Sequence, residues 1–258
     1  MAAAAAASLV PPVPTTNPPR AQLSVLTCVK ALDPVARSVS VTATMRPLKG
    51  TQKLNVNVRL QDRAAGTHTW LTIAAPGLGQ WLAPTDPPTL GRRPGDVWNV
   101  RHPVADLTAP AAYRFSVQFR WLGAGGRVLG AESLTSATCQ QPELRPDLVV
   151  GTVAVTPAAR RNRRVYATTI SNTGATAASQ VLVELNVGGT IVQHTIPRLG
   201  PHSSQVVKFT GPACSTVAPA SVTVDPNNQI DVSSRAQAVA QVSCVATSAA
   251  VNGTPVPG

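Results

Sequence analysis

The sequence predicts an all-β protein made of two β-sandwich domains in tandem. Three observations predict it. Alternating apolar and polar residues recur in short runs along most of the chain. The 258 residues include 24 prolines and 18 glycines, and much of the proline lies between those runs. No long stretch carries the 3.6-residue apolar period of a helix. Hydrophobic residues make up 43% of the chain, enough to build cores and to exclude global disorder. Aromatics make up only 3%, so those cores must rest on Val, Leu, Ile and Ala.

Residues 1–21 are low in complexity and read as an Ala/Pro-rich leader or a degenerate signal segment. Ala2 to Val10 has the length of a signal's apolar core, but no basic segment precedes it. The first domain is expected over residues 22–142. "LSVLTCVK" is a β-prone run. "SVSVTATMR" places Val39, Val41, Ala43 and Met45 on one face and Ser38, Ser40, Thr42 and Thr44 on the other. "KLNVNVRLQ" turns Leu54, Val56, Val58 and Leu60 inward, with Asn55, Asn57 and Arg59 outward. "HTWLTIAA" is a fourth strand. Pro76 to Pro94 reads as a long surface loop, and "DVWNVRHPV" returns to the sheet. "AYRFSVQFRWLG" is the strongest strand, with Tyr113, Phe115, Val117, Phe119 and Trp121 on one face. "GAGG" is a turn, and "RVLGAESLTSATC" completes a hairpin. About seven strands of this kind make an Ig-like sandwich.

"QQPELRPDL" is polar, holds two prolines and marks the boundary. The second domain is expected over residues 146–246, followed by a flexible tail, 247–258. Its strand-like runs are "DLVVGTVAVTP", "RVYATTISNTG", "QVLVELNVGGTIV", "HTIPRL", "SQVVKFTG", "ASVTVDP" and "QAVAQVSC". "NVGGT" is a Gly-Gly hairpin signal. "SNTG" and "DPNN" are turn chemistry, because Asn and Gly tolerate positive φ and Asp can bond its own backbone.

Four cysteines occur, Cys28, Cys139, Cys214 and Cys244, and no two have the spacing of a zinc or redox motif. Pairing Cys28 with Cys139 and Cys214 with Cys244 keeps each bridge inside one half of the chain. Closures of those lengths stabilise by about 5 and about 3.5 kcal/mol in the chain-entropy model. Such bridges persist outside the reducing cytoplasm, which points to a secreted or cell-surface location. Four free buried thiols in a reducing compartment are the alternative. No segment reaches the ~18 apolar residues of a membrane span.

The formal net charge is +11, so the chain is drawn to anionic polymers. The one dense basic run is "ARRNRR", in which Arg160, Arg161, Arg163 and Arg164 are candidate contacts to such a polymer. A solvated turn between strands is the simpler reading. Nucleic acid is the weaker partner, since no aromatic is interleaved for base stacking.

In the second half, "PDLVVGTVAVTP", "TISNTGATAAS", "IPRLGPHSSQVVKF" and "VTVDPNNQI" follow one another between Arg145 and Cys244. In that order they resemble the bacterial CARDB family, the cell adhesion related domain found in bacteria. The resemblance implies an Ig-like sandwich at the cell exterior, serving adhesion or assembly. The first half resembles no family beyond the Ig-like plan. Val232 and Arg235 stand where the family commonly has acids, and Gln237–Ala238 replace an Asn pair. Calcium requires six to eight oxygens, several of them carboxylate. Asp225 and Asp231 alone could supply charge here, and Arg235 opposes it. The stretch therefore reads as a hairpin turn rather than a metal site.

Little else suggests chemistry. His68, His102, His194 and His202 form no i, i+4 pair. "GLGQ" and "GAGG" are glycine loops with no helix behind them to cradle phosphate. No G-x-S-x-G elbow occurs, and 11 scattered acids argue no glycosidase pair. Trp70, Trp81, Trp98 and Trp121 could line a sugar-binding face, although core packing is the plainer role. Trp81, in the Pro-rich loop, is the candidate exposed contact. The expectation is a non-catalytic adhesion, spacer or assembly module without cofactor or small-molecule substrate. Its partner is an unidentified protein or an anionic cell-surface polymer. The alternative is a basic surface protein whose main role is binding anionic cell-wall polymer or nucleic acid.

Overall fold

The computed structural model describes residues 18–244. Most of the 1–21 leader and all of the 247–258 tail lie outside the described residues. The chain divides between Gln141 and Pro142 into two compact units.

Unit 1 is a two-sheet sandwich. One sheet holds β1 (Ala21–Val29), β2 (Ser38–Met45) and β6 (Trp98–Ala105), in the order β1-β2-β6. The other is built on β3 (Lys53–Ala64) and β7 (Ala111–Leu122), antiparallel from Lys53↔Leu122 to Ala64↔Ala111. Beside them run β4 (Leu71–Ile73) and β5 (Trp81–Leu82) on β3, with β8 (Val128–Thr135) and β9 (Cys139–Gln141) on β7. The period-2 pattern puts every second side chain into the gap between sheets. Val39, Val41, Ala43 and Met45 there meet Leu54, Val56, Val58 and Leu60 and the aromatic row of β7, all buried. Burial of each large side chain contributes about 1.5–3 kcal/mol. The Tyr113 hydroxyl donates to the Thr108 carbonyl at 2.9 Å, five residues back, as in the tyrosine corner of Ig-like sandwiches. Cys28 on β1 is bonded to Cys139 on β9, which covalently joins the two sheets.

Two details of unit 1 differ from the alternation rule. The Pro76–Pro94 segment folds back onto the sheet, where β5 pairs Trp81 with Asn57. Leu78 is buried, and the Gly79 amide donates to the Val58 carbonyl. Asn57, on the outer side of β3, is consequently covered to 1% exposure and donates to the Gly79 carbonyl at 2.6 Å. A two-residue strand has no periodicity to read. Arg37 is also buried; its guanidinium donates to the carbonyls of Ala31, Leu32 and Leu107.

Unit 2 is a second sandwich. β10 (Leu148–Val150) and β11 (Ala154–Pro157) pair with successive parts of β12 (Arg163–Asn172), whose other edge holds β15 (Ser203–Pro212). The facing sheet has β14 (Thr190–Leu199), β13 (Ala178–Val187), β16 (Ala220–Val224) and β17 (Val239–Val242), in the order β14-β13-β16-β17. "HTIPRL" is the second half of β14, not a separate strand. The β13–β14 hairpin turns on Gly188 and Gly189, both at positive φ, as a two-residue loop of type I′ requires. Tyr166, Ile170, Val181, Val183, Leu185, Ile196 and Val222 are fully buried between the sheets. A second disulfide joins Cys214, after β15 of one sheet, to Cys244, after β17 of the other.

Candidate functional site

The family-like segments of unit 2 converge through hydrogen bonds. Asn172, 1% exposed, accepts from the amides of Asp147 and Gly174 and donates to the carbonyls of Thr176 and Leu199. One amide therefore ties the start of the unit, the "SNTG" turn and the end of β14. Gly174 is required by close approach: a Cβ there would meet the Arg145 carbonyl and the Asp147 amide.

The "VDPNNQI" turn is satisfied from within. Asp225 and Asn228 hold positive φ. The Asp225 carboxylate, 4% exposed, accepts from the amides of Gln229 and Ile230 and from Arg235 Nη1 at 2.9 Å. Arg235 Nη2 also donates to the Ile230 carbonyl. Asp231 accepts from Arg145 Nη1 at 3.1 Å. Arg145 also grips Glu143 through Nε and Nη2, and this holds the Glu143 carboxyl below the usual carboxylate range. Both carboxylates of the turn thus face guanidinium groups. Among the described residues, no three His, Cys, Asp or Glu gather to hold a metal.

The basic run spans the turn from β11 into β12. Arg160 and Arg161 are exposed; Arg163 and Arg164 open β12, with Arg163 donating to the Thr210 carbonyl. Asn162 holds the positive φ of the turn.

The tryptophans divide by position. Trp121 lies in the core and donates to the Arg46 carbonyl at 2.7 Å. Trp98 is half-buried against it. Trp81 is 37% exposed, and the Arg120 guanidinium stacks 4.2 Å from its ring centroid. Trp70 is not a core residue: Arg63 and Arg114 both stack on it, at 4.9 and 4.1 Å. Composition did not single out Arg63, Arg114 or Arg120. The signal was present in "YRFSVQFRW", whose polar phase is Arg114, Ser116, Gln118 and Arg120.

Unit 1 has an apolar cleft of about 380 Å³, lined mainly by Leu60, Ile73, Val104, Leu107 and Tyr113. Unit 2 has a cleft of mixed polarity, about 410 Å³, beside the Cys214–Cys244 bridge, lined by Val153, Val155 and Arg164 among others. Half-buried His102 lies outside both clefts, and desolvation holds its imidazole below the ordinary histidine value.

Comparison with known proteins places one region. The CARDB family model matches residues 145–240. The crystal structure of a CARDB domain from Pyrococcus furiosus, in complex with di-metal ions, is 23% identical. The match covers 38% of this chain and 85% of that one, with a TM-score of 0.33. The solution structure of the same domain is 22% identical over 38% of this chain and 93% of that one, with a TM-score of 0.33. A class 5 fimbriae chaperone matches 87% of this chain and 100% of its own, at 10% identity and a TM-score of 0.30. No curated protein matches the chain.

Proposed function

We infer that this chain, whose C-terminal region is a CARDB domain, is a non-catalytic secreted or cell-surface protein acting as an adhesion, spacer or assembly module. The observation that carries the reading is the pair of sandwiches, each with a disulfide joining its two sheets. Disulfides persist in oxidising compartments and give such a module rigidity where no chaperone system refolds it. The unit 2 turn supports a structural role, since its carboxylates are committed to Arg235 and Arg145. The buried Asp225 carboxylate is neutralised and hydrogen-bonded within the turn, which holds the hairpin in shape.

The test has two arms. Intact cells of the producing strain are treated with a protease that does not cross membranes, and the chain is followed by antibody. Loss of the chain while a cytoplasmic marker survives is expected; full protection overturns the location. Beads carrying the purified chain are then mixed with the same cells. Retention above that of beads carrying an unrelated β-sandwich is expected, and equal retention overturns adhesion.

A further inference from the structure

The outer face of the larger sheet of unit 1 is polar, cationic and aromatic at once. On β3 the positions facing away from the core include Lys53, Arg59 and Arg63; on β7 they include Arg114 and Arg120. None of the outward positions on β3, β7 and β8 is Asp or Glu. Guanidinium groups of this face stack on the Trp70 and Trp81 rings. Between them, Gln61 and Gln118 offer amides, and Gln61 accepts from Arg114 Nε at 2.9 Å.

The sheet beneath this face holds two unpaired acceptors. The side-chain oxygens of Asn55 and Asn57 have no hydrogen-bond partner among the described residues. In register, Asn55 pairs with Arg120 and Asn57 with Trp81, so both lie on the strand positions beside the Arg120–Trp81 stack. An unpaired buried acceptor costs about 1–3 kcal/mol, so this part of the sheet carries local polar strain beneath the Arg120–Trp81 stack.

We propose that this face binds an acidic polysaccharide, with Arg114 and Arg120 pairing sugar carboxylates while Trp70 and Trp81 pack against sugar rings. Guanidinium forks match carboxylates in a bidentate manner and stack on aromatic rings without losing that ability. Amides and hydroxyls on the same face suit sugar hydroxyls. From Arg114 to Arg120 the face runs about 20 Å along β7, long enough for several rings of a polymer. A polysaccharide is favoured over nucleic acid because the disulfides point outside the cytoplasm. The inference rests on the extracytoplasmic reading and names the partner of the adhesive module. It moves the contact away from the "ARRNRR" turn, where no aromatic stands.

The experiment uses the full oxidised chain and polygalacturonate as the acidic probe. Dextran is the neutral control and single-stranded DNA the competing polyanion. Binding is measured by titration calorimetry and by tryptophan fluorescence, since all four tryptophans lie in unit 1. Binding to polygalacturonate, none to dextran and weaker binding to DNA are expected. The Arg114→Gln/Arg120→Gln variant should bind at least about tenfold more weakly, and Trp81→Ala should do the same. Arg160→Gln/Arg161→Gln should stay within about twofold of the parent. An unchanged urea midpoint confirms that each variant is folded. No binding, binding indifferent to the Arg114/Arg120 change, or tighter binding to DNA overturns the proposal. A chain that binds polygalacturonate at this face yet is protease-protected inside cells refutes the adhesive role alone. A surface chain that ignores polygalacturonate refutes this inference alone.

Discussion

Replacing Arg235 by Ala removes the only side chain that pairs with the buried Asp225 carboxylate among the described residues. The pair is 2.9 Å long, and Asp225 is 4% exposed while Arg235 is 38% exposed. Breaking a fully buried pair costs about 3–5 kcal/mol, because the remaining charge stays desolvated. Solvent screening of the arginine lowers this to about 2 kcal/mol. The amides of Gln229 and Ile230 remain to hold the carboxylate, so the turn is weakened rather than lost. Asp225→Asn is expected to cost about 1.5 kcal/mol through one weakened backbone bond and the lost charge. With both changes no stranded carboxylate remains, so the costs do not add, and a coupling of about 1 kcal/mol is expected. The assay is amide hydrogen exchange of β13 and β16 peptides in the intact chain, because tryptophan emission reports unit 1 only. Strictly additive single and double variants would refute the view that Arg235 compensates Asp225.

Other expectations follow from the same geometry. Gly174→Ala drives a Cβ into two backbone groups that have no rotamer to yield, and should cost about 3 kcal/mol or more; β12 and β15 amides that exchange no faster would contradict it. Removing the Cys28–Cys139 bridge as Cys28→Ser/Cys139→Ser frees a closure of 111 residues and should lower stability by about 2–5 kcal/mol, read from the urea midpoint of tryptophan fluorescence. Arg37→Met leaves the carbonyls of Ala31, Leu32 and Leu107 without their shared donor, and the stability read from the same urea transition should fall by about 2 kcal/mol. Arg145 lowers the Glu143 carboxyl in the folded state, so its contribution is fully present above the ordinary value of 4.5 and is lost as pH falls through the lowered one. Glu143→Gln should remove that part of the acid limb from a stability–pH curve and leave stability near pH 7 with a weaker dependence on acid; an unaltered acid limb would contradict the assignment.

Much of the architecture was legible because a strand's period is 2 and leaves a strong imprint. Val39 to Met45, Leu54 to Leu60 and Tyr113 to Trp121 all face inward as their alternation implies. The Gly188–Gly189 hairpin was readable because two consecutive positive φ values nearly require such residues. Legibility ended where partners come from another strand. β5 is too short to carry a pattern, so its coverage of Asn57 is invisible in the letters. Trp70 read as core because an apolar ring predicts burial; its actual cover is two arginines from β3 and β7, set by register. At the "VDPNNQI" turn, Arg235 registered as a charge opposing metal binding. Its role as the direct partner of Asp225 required knowing that the chain folds back over ten positions to bring the two together.

The link between β1 and β9 has a mechanical meaning. Cys28 and Cys139 sit near the two ends by which unit 1 is threaded into the chain. A pull applied through those ends runs across the sulfur–sulfur bond and bypasses every strand between. About 370 Å of contour length is thereby withheld from extension. Reduced, the unit could pay out that slack under load; oxidised, it transmits tension as a short stiff link.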